Sequence, residues 1–390
     1  MYSLALMPQK RTIKPNKMPR TPNNGAWATS GDFDALLALV ALISLTPSFW
    51  STIALAFSAD EHLVQNSLGA NIARSIICSI GFVFVAVKWE LATWAATRFF
   101  VPLVLIGLAF LSTFWSLSPS ETLRGSIQFF LVWILGLGCA LRFKTSDFAN
   151  YCGLAGVFAI FFQITAQIFA EDRGNIGFVN GELAMAIIVS GWAMRTSNNY
   201  KLAWGAFALF AAVIAIYSKD EASFGAAIGL LMALAIETIM RSAKSRLLQN
   251  AWVFVVALSG AMIFIVTRGQ LASFAISELL DNLGNQSLFG IGFATSDGTL
   301  FNEIGQGLGL FGLGVAVCLL IFGLYFAIFP FNTSANSLWP VFGIAGLIIA
   351  VPSQIYFDSS IALILCFALF SSFCSETKPP KRKPIRRQFD

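Results

Sequence analysis

The chain has 390 residues, of which 57% are hydrophobic and 12% charged, with a formal net charge of +5 and a mean hydropathy of +0.74. Soluble domains carry about twice that charge, and no soluble fold of this length hides so much apolar surface, so a water-soluble enzyme or nucleic-acid-binding domain is excluded. A bilayer accommodates it, because about 20 apolar residues in a helix cross its hydrocarbon core.

Residues 1–32 are polar and basic, with Lys10, Arg11, Lys14, Lys17 and Arg20, and read as a cytoplasmic tail rather than a cleavable signal. Apolar runs then predict twelve transmembrane helices: 33–57, 72–89, 99–115, 123–142, 148–170, 177–194, 200–217, 222–240, 250–267, 303–329, 338–352 and 359–374. The stretch 338–374 also reads as one span plus a re-entrant segment broken at Pro352, which would make eleven. The predicted fold is an all-α polytopic bundle forming a single domain over 33–374. A second basic tail, 375–390, carries Lys378, Lys381, Arg382, Lys383, Arg386 and Arg387.

Charge sets the expected orientation. With twelve crossings, 20 of the 25 basic residues fall in the two tails and in alternate loops, through Lys88, Arg98, Arg142, Lys144, Arg195, Lys201, Arg241, Lys244 and Arg246. That bias places both termini in the cytoplasm. The basic tails are read as topology signals that attract anionic lipid, not as nucleic-acid sites. The six cysteines sit in apolar runs without metal-ligand spacing, so neither zinc nor a disulfide framework is indicated.

Five basic residues remain for the outer side: Arg74, Arg124, Arg173, Lys219 and Arg268. The last four each fall at or near a different outer helix end. Topological selection disfavours outer cations, and guanidinium forks match phosphate oxygens, so Arg124, Arg173, Lys219 and Arg268 are candidate diphosphate ligands. Local pairing with acids such as Glu121 is the structural alternative. The longest outer loop, 268–302, contains a predicted amphipathic helix over 272–283. Its Ala272, Ile276, Leu279, Leu280 and Leu283 share one face, opposite Ser273, Ser277, Glu278 and Asp281. The glycine-rich Leu288–Phe293 stretch that follows reads as a tight turn. Among intramembrane acids, Glu182 lies near an outer helix end and is a functional candidate, whereas Glu237 is expected to pair with Arg241 one turn away. The single histidine, His62, sits beside Glu61 in the first outer loop and reads mainly as a solvated residue with some potential to titrate.

Three stretches together resemble the O-antigen ligase and polymerase superfamily, which includes bacterial exopolysaccharide polymerases. Trp115-Ser-Leu-Ser-Pro-Ser-Glu-Thr-Leu-Arg124 resembles the family's W-S-x-x-P … L-R start of a span. Arg268-Gly269, followed by Leu288-Phe-Gly-Ile-Gly-Phe293, resembles its G-R … P-L-F-G-x-G loop, and Phe301-Asn302 through Gly312 its H-N … E-x-G-x-x-G segment. Phe301 stands where the family has histidine.

The resemblance implies a metal- and cofactor-independent glycosyltransferase of the bacterial inner membrane. Its donor would be a polyprenyl-diphosphate-linked glycan, with membrane lipids and other polysaccharide-assembly proteins as further partners. It implies a diphosphate contact for Arg268, matches Arg124 to the family's entry-motif arginine and matches Asn302 to the asparagine of H-N, a catalytic candidate. Glu303, next in the chain and near the water interface, is the candidate base for the acceptor hydroxyl. Two rival readings stay open: a transporter or flippase for a lipid-linked sugar, and a non-catalytic component of a glycan-export complex.

Overall fold

A computed structural model describes residues 32–56, 68–98, 100–170, 181–197, 200–218, 221–242, 288–293, 303–328, 335–350 and 359–376. Among these residues all regular secondary structure is helical. The helices are α1 (Asp32–Ser44), α2 (Pro47–Ala56), α3 (Leu68–Cys78), α4 (Ile80–Val87), α5 (Trp89–Arg98), α6 (Val101–Leu111), α7 (Pro119–Arg142) and α8 (Thr145–Ala170). They continue as α9 (Glu182–Thr196), α10 (Lys201–Ser218), α11 (Glu221–Ser242), α12 (Leu308–Ile328), α13 (Ala335–Ala350) and α14 (Ser360–Glu376).

Among the described residues four helical stretches are long and apolar enough to cross a membrane: Pro119–Arg142, Thr145–Thr165, Lys201–Ser218 and Ala222–Met240. Shorter apolar helices run over Val101–Phe114, Leu308–Leu319, Leu338–Leu347 and Ser360–Ser371. The perimeter is apolar. On α10, Leu202, Leu209, Val213, Ile216 and Tyr217 are all exposed, a face that water would not tolerate and lipid would.

Helix α9 is the axis of the bundle. Every residue from Glu182 to Ala193 is buried, and α8, α10, α11 and α13 pack around it. Small residues set the spacing between α11 and α13, where a Cβ at Gly229 would lie 2.1 Å from the Phe342 carbonyl oxygen. Such close backbone approach is how helices gain packing energy when lipid offers no hydrophobic drive. Helix α7 forms the second centre, against α4, α6 and α14.

Among the described residues three predicted spans are interrupted; in the one over 303–329 a non-helical Gly309, φ +66°, kinks α12. The first, 33–57, is broken at Leu45 and Thr46, directly before Pro47, which supplies no N–H and restricts the residue before it. The second bends by 100° between Asn71–Val87 and Trp89–Thr97, so the segment after Lys88, expected as a plain loop, is a helix running across the bundle direction.

Polar ties hold the end that the sequence assigns to the cytoplasm. Arg142 donates through Nε to Asp34 Oδ2 at 2.6 Å, and Lys88 Nζ to the Leu141 carbonyl at 2.7 Å. Glu237 accepts both Arg195 and, at 3.0 Å, the indole N–H of Trp339. Its partner is therefore on a neighbouring helix, where the sequence pointed to Arg241; the Arg241 side chain lies outside the described residues. These contacts join ends that alternate-loop counting puts on one side.

Candidate functional site

At the opposite end, the Trp115–Ser118 crossing closes on two neighbouring segments, Leu288–Phe293 and Glu303–Gly307, Trp115 and its partner Phe289 being 174 residues apart. Helix α6 tightens into a 3-10 turn at Ser112–Phe114, and the chain then crosses to α7 through Trp115–Ser118. Against this crossing lies Leu288–Phe293, and behind that the π-helical turn Glu303–Gly307 that begins α12.

Backbone pairing fastens them. Ile291 N–H donates to the Gln306 carbonyl at 2.8 Å and Gly292 N–H to the Gly307 carbonyl at 3.0 Å. Leu117 N–H reaches the Ile291 carbonyl at 3.2 Å. Side chains complete the knot. The Trp115 indole N–H donates to the Phe289 carbonyl at 2.9 Å, and the Ser112 hydroxyl accepts the buried N–H of Phe293 at 3.0 Å. The Phe293 ring is fully buried, 5.5 Å from that of Phe129.

Glycine is required at two places. Gly290 and Gly292 have φ of +68° and +114°, and a Cβ on Gly292 would stand 2.3 Å from the Ser116 hydroxyl oxygen. The Leu288–Phe293 stretch is thus a tight turn, as its glycines predict.

Arg124 lies two turns into α7 from this crossing. It is exposed and makes no ion pair among the described residues, so the local pairing with Glu121 is not formed. Glu303 opens the π turn, placing its backbone beside the knot; its side chain, like Asn302, Phe301, Arg268, Arg173, Lys219 and His62, lies outside the described residues. So do the predicted amphipathic helix 272–283 and the ninth span, 250–267. The remaining outer cation, Arg74, sits 5.4 Å from the Trp50 ring centroid.

Glu182 forms a separate locus. It is the first residue of α9, after Gly181 at φ +106°, and is 4% exposed. Its Oε1 accepts the Ser48 N–H at 2.7 Å, which satisfies a donor exposed by the break in the first span. The Ser48 hydroxyl donates to the Ala159 carbonyl at 3.2 Å, and Ser360 N–H donates to the Leu45 carbonyl at 3.2 Å. Sequence reasoning missed Ser48 and Gln163 here, although a glutamine in the fifth span was visible as a polar residue in an apolar run. It also missed Ser112, for which serine in a membrane helix gives no distinguishing signal.

No family model, curated protein or solved structure matches the chain.

Proposed function

We propose that the protein is a polysaccharide polymerase or ligase of the bacterial inner membrane, with twelve spans and both termini in the cytoplasm. It transfers a polyprenyl-diphosphate-linked glycan to an acceptor on the outer side. The observation that supports this reading is the closure of Trp115–Ser118, Leu288–Phe293 and Glu303–Gly307 on one another. These belong to the three stretches whose sequence resembles the family, and the Trp115 stretch reaches the other two from 174 residues away along the chain.

In the proposed mechanism the acceptor hydroxyl oxygen bonds to the donor's anomeric carbon while the bond from that carbon to the diphosphate breaks. The proton passes to the Glu303 carboxylate. Arg124, Arg173, Lys219 and Arg268 neutralise the departing polyprenyl diphosphate, so charge stabilisation supplies much of the rate and no metal is required. Asn302 orients the acceptor.

Arg124→Ala tests the reading because Arg124 is exposed and supports no packing. In cells, polymer should disappear while lipid-linked precursor accumulates on the outer leaflet, with the protein still folded. A second reading, transport of a lipid-linked sugar, draws on the broken first span beside buried Glu182, since interrupted helices line many transport sites. It predicts precursor trapped on the inner leaflet instead. Normal polymer in Arg124→Ala removes the transfer mechanism.

A further inference from the structure

Beyond the knot, the bundle interior holds buried polar atoms that have no hydrogen-bond partner among the described residues. Glu182 Oε2 has no hydrogen-bond partner, and neither does Nε2 or Oε1 of Gln163. Gln163 is 3% exposed and Glu182 4%. Buried polar groups are nearly always paired, and an unpaired one costs free energy, so three in one region call for a ligand.

They do share a region. The Ser48 N–H is on Glu182, and the Ser48 hydroxyl is on the Ala159 carbonyl, the same carbonyl that a regular helix bonds to the N–H of Gln163. One turn along α2, the Thr52 hydroxyl donates to the Phe162 carbonyl at 3.2 Å, beside Gln163. The first span is broken at this level. Gln163 lies seven residues before Ala170, about 10 Å along α8 from the end that the sequence assigns to the outer side.

The chemistry of the three atoms narrows the ligand. A carboxylate oxygen accepts, an amide oxygen accepts and an amide nitrogen donates. A monovalent cation would serve both oxygens and strand the amide nitrogen, and an anion would serve the nitrogen and repel the carboxylate. A hydroxylated ligand serves all three, because each hydroxyl both donates and accepts. Phe49 and Phe162, with ring centroids 5.6 Å apart, add apolar surface next to the polar atoms. Hydroxyls for the polar atoms and C–H surface for the rings are what a sugar ring offers.

We infer that Glu182 and Gln163, at the break in the first span, form a saccharide-binding subsite that takes hydroxyl groups of the glycan. The inference rests on the transfer reading for its biological ligand, but the site stands on its own geometry.

The test uses the full chain in lipid nanodiscs with free hexoses and N-acetylhexosamines as probes, and sodium chloride against choline chloride as the cation control. Each saccharide is compared between the wild type and Gln163→Leu, since osmolyte stabilisation acts on both. A saccharide at about ten times its dissociation constant should raise the wild-type Tm by about 3 °C more than that of the variant. Glu182→Gln, which keeps the shape of the side chain, should also lose part of that difference. Equal responses in wild type and variants across the panel overturn the inference and leave water as the occupant. A sodium-specific rise abolished by Glu182→Gln overturns it in favour of a cation site.

The cellular arm separates this failure from failure of the transfer reading. Loss of polymer in Arg124→Ala, with normal polymer in Glu182→Gln and Gln163→Leu, removes the subsite and keeps transfer. Saccharide binding without a polymer defect in Arg124→Ala keeps the subsite and removes transfer.

Discussion

Gly292→Ala strikes the knot at its tightest point. The added Cβ must be carried at φ +114°, where an L side chain costs about 1–2 kcal/mol. It would also lie 2.3 Å from Ser116 Oγ, 2.5 Å from Ser116 Cβ and 2.8 Å from Ser116 Cα. A rotamer change moves the hydroxyl but not the Cα, so the Trp115–Ser118 crossing must shift as a unit. That shift strains the Gly292–Gly307 and Leu117–Ile291 backbone bonds, each worth about 0.5–1.5 kcal/mol net. The expected loss is about 3–5 kcal/mol of stability, with loss of glycan transfer as the three segments separate. Gly314→Ala is the control: no atom lies within 4 Å of its Cβ, and it sits inside α12, so a gain of about 0.5–1 kcal/mol is expected. Unfolding of the full chain in mixed micelles, with denaturant titrated against both variants, measures the contrast. Adding Ser116→Gly to Gly292→Ala removes two of the three clashes and should restore about 1–2 kcal/mol, the φ strain remaining. The reasoning is refuted if Gly292→Ala and Gly314→Ala unfold within about 1 kcal/mol of each other.

Ser112→Ala removes the acceptor of the buried Phe293 N–H and should cost about 1–3 kcal/mol, seen as faster hydrogen exchange at that amide and a lower unfolding midpoint. Glu237→Ala leaves Arg195 without its carboxylate and the Trp339 indole N–H without its acceptor, at a cost of about 3–5 kcal/mol. A double-mutant cycle with Arg195→Met should show strong coupling, because losing both partners spares the protein a stranded charge; additive effects would deny the pair its importance. Gln163→Leu, measured without saccharide, should be neutral or stabilising, since it replaces two unsatisfied polar atoms by apolar ones of similar bulk.

What could be read from the residues alone followed from composition and local chemistry. Apolar runs locate the helices, because in lipid every backbone group must be satisfied within the segment. The glycines of Leu288–Phe293 announce a turn, and Gly290 and Gly292 adopt the positive φ that only glycine takes easily. The sequence did not reveal which groups meet across the bundle. Glu237 has a cation one turn along its own helix, yet it is joined to Arg195, 42 residues away, through both guanidinium and carboxylate edges. Likewise the Thr46-Pro47 step marks a break only once Glu182 and α14 are present to satisfy the opened backbone; as a pattern of apolar residues, 33–57 reads straight through it. Gln163 disappears into its run for the same reason, because burial without a partner is a property of the assembled bundle.

The interruptions also bear on how many times the chain crosses. Helices α1 and α2 have 13 and 10 residues, neither enough alone; laid end to end their 23 helical residues would measure about 35 Å, enough for the proposed first crossing. Irregular backbone survives at membrane depth only where protein covers it. Here the cover is visible: Ser48 N–H on Glu182, the Leu45 carbonyl on Ser360, the Trp50 indole N–H on the Ser44 carbonyl at 2.8 Å. A break satisfied in this way is compatible with the proposed first crossing. The π turn that precedes α12 is covered in the same way, its carbonyls taken by Ile291 and Gly292. The proposed twelve crossings therefore do not require twelve uninterrupted helices. They require that broken ones be closed by neighbours, as happens beside Glu182 and at the Trp115 knot, where the proposed saccharide binding and the proposed chemistry are placed.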